Sequence, residues 1–180
     1  MPTTIGLFYG STNGACAAAA ERIQSLINET GLATVALHDV AYTDLKEMEG
    51  YSYLILGVST WNIGHLQDDW EYKFDQLDDI DLTGKPVALY GMGDQYGYPD
   101  SYVDAMGILS ERIIERGAEP VGFWAVDDGY EFEYSRAVID GVFVGLALDD
   151  ENQGDLTEER VQAWVQVVLE DFGLAVPVPA

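Results

Sequence analysis

The stretch "TTIGLFYGSTNGACAAAAERI", residues 3–23, passes from a hydrophobic run through a turn of small residues into an alanine-rich segment. Residues 3–9 suit a β-strand, and residues 15–31 carry strong helix formers up to a glycine stop. Strand, small-residue turn and helix in that order open a parallel α/β sheet, and the turn between them is where such proteins hold phosphates. The loop Gly10-Ser11-Thr12-Asn13-Gly14-Ala15-Cys16 presents main-chain N–H groups at a helix start, and Ser11, Thr12 and Asn13 add side-chain donors. It has no lysine and matches neither the triphosphate-binding loop nor the GxGxxG dinucleotide turn. Taken alone, it fits an N-capped helix as well as an anion site.

Outward from this unit the same alternation continues. Strand-like runs at 33–38, 51–59, 86–94 and 119–125 alternate with a short helix at 43–48, a helix at 101–116 and a last helix at 157–172 that Thr157 would cap. Each parallel connection needs a crossover, so the reading is a doubly wound sheet of five parallel strands, order 2-1-3-4-5, with helices on both faces. One segment breaks the rhythm: 127–156 is acidic and aromatic, and 142–148 within it is itself strand-like. It reads as a fifth strand interrupted by an insertion at about 125–145 and then resumed, inside a single domain spanning residues 1–180. The end "AVPVPA" reads as a surface piece.

Composition narrows the function. With 8 Lys plus Arg against 32 Asp plus Glu, the net charge of −24 repels nucleic acid and anionic membranes and favours basic protein partners. Adaptation to a salty cytoplasm is the competing explanation of that charge. One cysteine and two histidines give no disulfide and no metal cluster, and no apolar run is long enough to span a bilayer. A cytoplasmic monomer is expected.

Ligands of doubly wound sheets bind at the carboxyl ends of the strands, which directs attention to the loops after the first, third and fourth. The second loop, "STWNIGHLQDDW" (59–70), sets Trp61 beside Thr60 and Asn62, and the third, "GMGDQYGYPDSY" (91–102), combines three glycines with Tyr96 and Tyr98. An anion site on the first loop and aromatic side chains on the other two describe a planar cofactor with a phosphate tail.

Here the chain resembles the long-chain flavodoxins. The resemblance rests on "IGLFYGS" with Gly14, "TWNIG" at 60–64, "LTGKPVALYGMGDQYGYPD" at 82–100, "GYEFEYSRAVIDGVFVGLALDDENQ" at 129–153 and "LTEERVQAWV", and runs over most of residues 3–174. It implies non-covalently bound FMN, with residues 11–16 around the phosphate and Thr60 adding a hydroxyl. Trp61 and Tyr98 would stack on the two faces of the ring, Asn62, Ile63 and Gly64 would lie at its reactive nitrogen, and main-chain groups of Gly93, Asp94 and Gln95 would hold its polar edge. Two positions depart from the family loop: Asn13 and Cys16 stand where hydroxyl side chains are usual, with Ala15 before Cys16, so FMN binding should be weakened but kept.

The implied function is a low-potential one-electron carrier, not an enzyme. Ferredoxin-NADP reductase, photosystem I, nitrogenase reductase or a 2-oxoacid oxidoreductase are the partners the resemblance suggests. The acidic stretches 67–81 and 149–155 would dock their basic surfaces, or else are simply solvated faces. An FMN-dependent NAD(P)H:quinone reductase and a flavin-free binding module are the alternatives on this fold.

Overall fold

The computed structural model describes residues 3–175. The surface end piece expected at 175–180 therefore lies, beyond Ala175, outside the described residues.

The opening stretch forms β1 (Thr3–Tyr9) and α1 (Ala15–Thr30), and α1 stops at Gly31, whose φ of 71° closes the last turn as only glycine readily does. β2 (Ala33–Asp39) follows, then a 3-10 turn at Leu45–Gly50 where an α-helix was expected. β3 (Leu54–Trp61) folds back through the two-residue β4 (His65–Leu66) into α2 (Asp68–Lys73). β5 (Pro86–Met92) leads to α3 (Asp104–Glu115), which begins later than the pattern predicts because Val103, at φ 48°, adopts a left-handed conformation that breaks the helix start.

The main sheet runs β2-β1-β3-β5, all parallel, and the far edge of β5 is filled twice. β6 (Glu119–Val121) pairs with Pro86–Ala88, and a later strand, β10 (Leu146–Leu148), pairs with Tyr90–Met92. The fifth position is thus one strand interrupted after Val121 and resumed at Leu146, giving the predicted order 2-1-3-4-5 with its insertion. Only part of 142–148 joins this sheet. β7 (Trp124–Ala125), β8 (Val138–Ile139) and β9 (Val142–Phe143) form a separate antiparallel ribbon, with Asp140 and Gly141 (φ 52° and 82°) making the tight turn between β8 and β9. Gly145 then lies so close to the Leu89 carbonyl that no side chain fits, and the chain passes from ribbon to sheet there.

α4 (Asp150–Asp171) closes the chain. It begins seven residues before the predicted start: Asp149, not Thr157, is the cap, accepting from Asn152 N, and a break at Gln153 (φ −134°) marks where the two readings differ. Strand side chains alternate between two cores. Ile5, Leu7, Ile55 and Tyr90 pack against α1 and α4, whereas Phe8, Leu56, Val58 and Leu89 pack against α3 and the insertion. Both fully buried tryptophans have their N–H satisfied: Trp70 donates to Gly57 O at 2.8 Å and Trp164 to Gly122 O at 2.8 Å.

Candidate functional site

The carboxyl ends of β1, β3 and β5 meet at one rim, and a cavity of about 240 Å³ opens between the loops that leave them. Asn13 and Ala15 line it from the first loop, Thr60, Trp61 and Asn62 from the second, and Gly93, Asp94 and Tyr98 from the third. Eight of the fifteen predicted residues thus share one wall.

In the first loop, Gly10 has no room for a side chain because Gln67 fills the space beside it. Gln67 is buried; its amide nitrogen donates to Thr12 Oγ1 at 3.1 Å, and its Oε1 accepts from Asp69 N and Trp70 N, capping α2. Ser11 Oγ accepts from Gly14 N (3.1 Å) and Ala17 N (3.3 Å), and Asn13 Oδ1 accepts from Ala15 N (3.1 Å). These are the donors that a helix start leaves open. The first turns of α2, α3 and α4 all carry acids, whereas that of α1 carries none of its own.

Cys16 is different. Its side chain turns into the core, where the thiol donates to Tyr90 Oη at 3.6 Å and Tyr90 Oη donates to the Cys16 carbonyl at 2.9 Å. Expecting the thiol to replace a phosphate-facing hydroxyl is therefore corrected: only the main chain of Cys16 remains at the loop. The cause is the helical period, which places position 16 on the face shared by Ala19, Ala20 and Ile23, all buried.

In the second loop, Thr60 Oγ1 accepts from Ala105 N at 3.0 Å, holding the start of α3 and leaving its own proton free to donate. The Trp61 indole N–H is buried with no acceptor among the described residues. Asn62, Ile63 and Gly64 form the turn between Trp61 and its partner His65, with Asn62 at φ 50° and Gly64 at φ 75°, and Ile63 is 76% exposed.

In the third loop, Asp94 Oδ1 accepts from Gly97 N at 2.7 Å, Tyr96 N at 3.2 Å and Asn152 Nδ2 at 2.8 Å. Partial burial pushes the Asp94 carboxyl up, but these donors outweigh it and hold its pKa below the usual carboxylate value. Not every expected donor is free: Gly93 N goes to Leu148 O, and Gln95 N goes to Asp149 Oδ2. The Gln95 side chain also faces away from the cavity, donating to Asp149 and accepting from Glu131 N at 2.6 Å.

The sequence reading missed several supports. Asp149 is buried with no cation paired to it among the described residues, and its two oxygens take donors from Gln95 and Asn152. Asp150 and Glu151 bring two acids to the cavity wall from the start of α4, which had been placed too late in the chain. Gln67 followed by Asp68 and Asp69 before Trp70 is a helix-start signal, but nothing local to it points to Thr12.

The sequence profile of the flavodoxin family matches residues 7–164. The chain is 49% identical over 174 residues to a flavodoxin of Nostoc sp., covering 97% of this chain and 100% of that one. It is 47% identical over 170 residues to flavodoxin 2 of Escherichia coli, covering 93% and 96%. Among solved structures, a Fusobacterium nucleatum flavodoxin bound to flavin mononucleotide superposes with a TM-score of 0.87 at 31% identity, covering 94% of this chain and 98% of that one. Profile, relatives and fold agree over nearly the whole length: the chain belongs to the flavodoxin family.

Proposed function

We propose that this chain binds FMN non-covalently and carries electrons one at a time between redox proteins. The observation that carries the reading is the cavity that joins the start of α1, whose own first turn carries no acid, to Trp61 and Tyr98. The residues present fit the cofactor. A phosphate dianion can take over the amides of Gly14, Ala15 and Ala17, now held by Ser11 and Asn13, and the Thr60 hydroxyl can add a donor. The unpartnered Trp61 N–H is an open polar valence on the same wall. FMN, when bound, supplies the one-electron chemistry.

The protein's own residues do the rest. Trp61 and Tyr98 offer rings to the two faces of a flat ligand, each contact adding about 0.5–1.5 kcal/mol beyond burial. The turn at 62–64 offers the Asn62 carbonyl as acceptor for a ring N–H, and the Asp94 main chain meets the polar edge. Asp94, Asp150 and Glu151 on the wall disfavour added negative charge, which lowers the reduction potential. Ser11, Thr12, Gly14 and the main chain of Cys16 complete the phosphate loop. Residues 1–180 work as a single domain and a cytoplasmic monomer. Its partners are basic redox proteins of the kind the resemblance implies, ferredoxin-NADP reductase, photosystem I, nitrogenase reductase or a 2-oxoacid oxidoreductase; charge complementarity supports this.

Titration of FMN-free protein with FMN tests the reading. Stoichiometric quenching of flavin fluorescence is expected, together with two separable one-electron steps during reduction. Full flavin fluorescence in the presence of excess protein would overturn it. Trp61→Ala should weaken binding by roughly 1–3 kcal/mol, about five- to 150-fold in Kd.

A further inference from the structure

We propose that Asn13-Gly14 is a self-deamidation site, and that its conversion in FMN-free protein makes the phosphate loop acidic and closes it to the cofactor. The second clause rests on the FMN reading above; the first does not. Deamidation begins when the main-chain nitrogen of the following residue attacks the asparagine side-chain carbonyl carbon. A side chain on that following residue obstructs the approach. The chain has four asparagines, and only Asn13 precedes glycine; Asn28, Asn62 and Asn152 precede Glu29, Ile63 and Gln153. All four are exposed, so access alone does not single one out.

Three features of the loop favour reaction at Asn13. Open space surrounds Gly14, where an added Cβ would meet nothing within 4 Å. The Gly14 N–H points at Ser11 Oγ (3.1 Å), which can relay its proton as the nitrogen attacks, taking it up while giving its own hydroxyl proton on towards the ammonia that leaves. The Asn13 Oδ1 accepts from Ala15 N (3.1 Å) at the start of α1, where that N–H and the peptide dipoles favour negative charge growing on the oxygen. In balance, the bond from Gly14 N to Asn13 Cγ forms, the bond from Cγ to Nδ2 breaks, and ammonia leaves with the amide proton. Water then opens the cyclic imide to aspartate or isoaspartate.

The product carries a carboxylate on the cavity wall where a phosphate dianion would sit, and isoaspartate also lengthens the main chain at the turn. Like charges a few ångströms apart at a protein surface weaken binding by about ten-fold or more. Bound FMN should protect the site, because its phosphate would take the Ala15 and Gly14 amides that assist the reaction. A chain that has lost its cofactor would thereby lose, with time, the capacity to take it up again.

The test incubates FMN-free and FMN-loaded protein in mildly alkaline buffer and follows the peptide containing residue 13 by mass spectrometry and an isoaspartate assay. Conversion confined to residue 13, fast in the free protein and slowed by FMN, is expected, with Asn28, Asn62 and Asn152 intact as internal references. Ser11→Ala should slow it without altering the fold. Asn13→Asp should bind FMN about ten-fold or more weakly than the parent, while the affinity of Asn13→Thr, whatever its starting value, should not decline during storage. An Asn13 that survives as long as the other three overturns the site. Equal rates with and without bound FMN, or parental affinity in Asn13→Asp, overturn its link to the cofactor. Because the mass measurement on free protein needs no flavin, failure of the FMN reading is seen separately.

Discussion

Burial pushes the Cys16 thiol from the ordinary 9.0 up to about 12, against the donors around it. Below pH 9 the thiol is neutral in both folded and unfolded chains and the shift has no effect. Between about pH 9 and 12 the unfolded chain gives up the proton and the folded chain keeps it, so stability falls, by up to about 1.4 kcal/mol per pH unit. Denaturant titrations across this window should show a shallower fall for Cys16→Ala than for the parent, and parallel curves would refute the assignment. In the native protein the thiol should resist thiol-directed reagents at neutral pH until the chain is unfolded. Asn13, three residues earlier, is the opposite case: exposed, on the cavity wall, and chemically active through its neighbour. The two departures from the family loop therefore act on different sides of α1.

Between elements, the first loop is steadied from α2 and the third loop from the insertion. Gln67 caps α2 and reaches Thr12 with one buried amide, so Gln67→Ala should cost about 1–2 kcal/mol of stability through the lost cap alone. It should also loosen FMN while leaving Trp61 in place. Urea unfolding and FMN titration of the variant separate the two effects; unchanged affinity would show that the Thr12 contact does not steady the loop. The insertion reaches the third loop through Glu131 N to Gln95 Oε1, and through Glu133 N and Tyr134 N to the Pro99 carbonyl at 2.8 and 3.0 Å. Tyr130 anchors it to the resumed strand, donating to Ala147 O at 2.7 Å while its ring lies 4.1 Å under the Arg160 guanidinium. The insertion thus braces one wall of the cavity.

At the scale of the whole molecule, the few cations do little to offset the acids. Of the eight, Lys73, Lys85, Arg116 and Arg160 donate to main-chain carbonyls, Arg22, Arg112 and Arg136 pair with exposed carboxylates, and Lys46 does both, reaching Asp79 O and Glu49. The net charge of −24 therefore repels itself across the surface, and salt screens such repulsion beyond about 10 Å at 0.1 M. Adding potassium chloride should raise the urea midpoint of the FMN-free protein and slow electron transfer to a basic partner; a midpoint indifferent to salt would remove self-repulsion from the account. What the sequence determined by itself was whatever is written in local periods. The alternation of apolar runs and helix formers set the parallel sheet, the order of three loops set the cavity, and the acid count set the charge. Tertiary structure alone decided where strand five resumes, and which distant groups, Gln67 for Thr12 and Asp149 for Gln95, hold the loops. Those contacts join residues far apart in the chain through buried hydrogen bonds. Their partners are selected by packing and desolvation once the sheet has closed, and no local pattern records that choice.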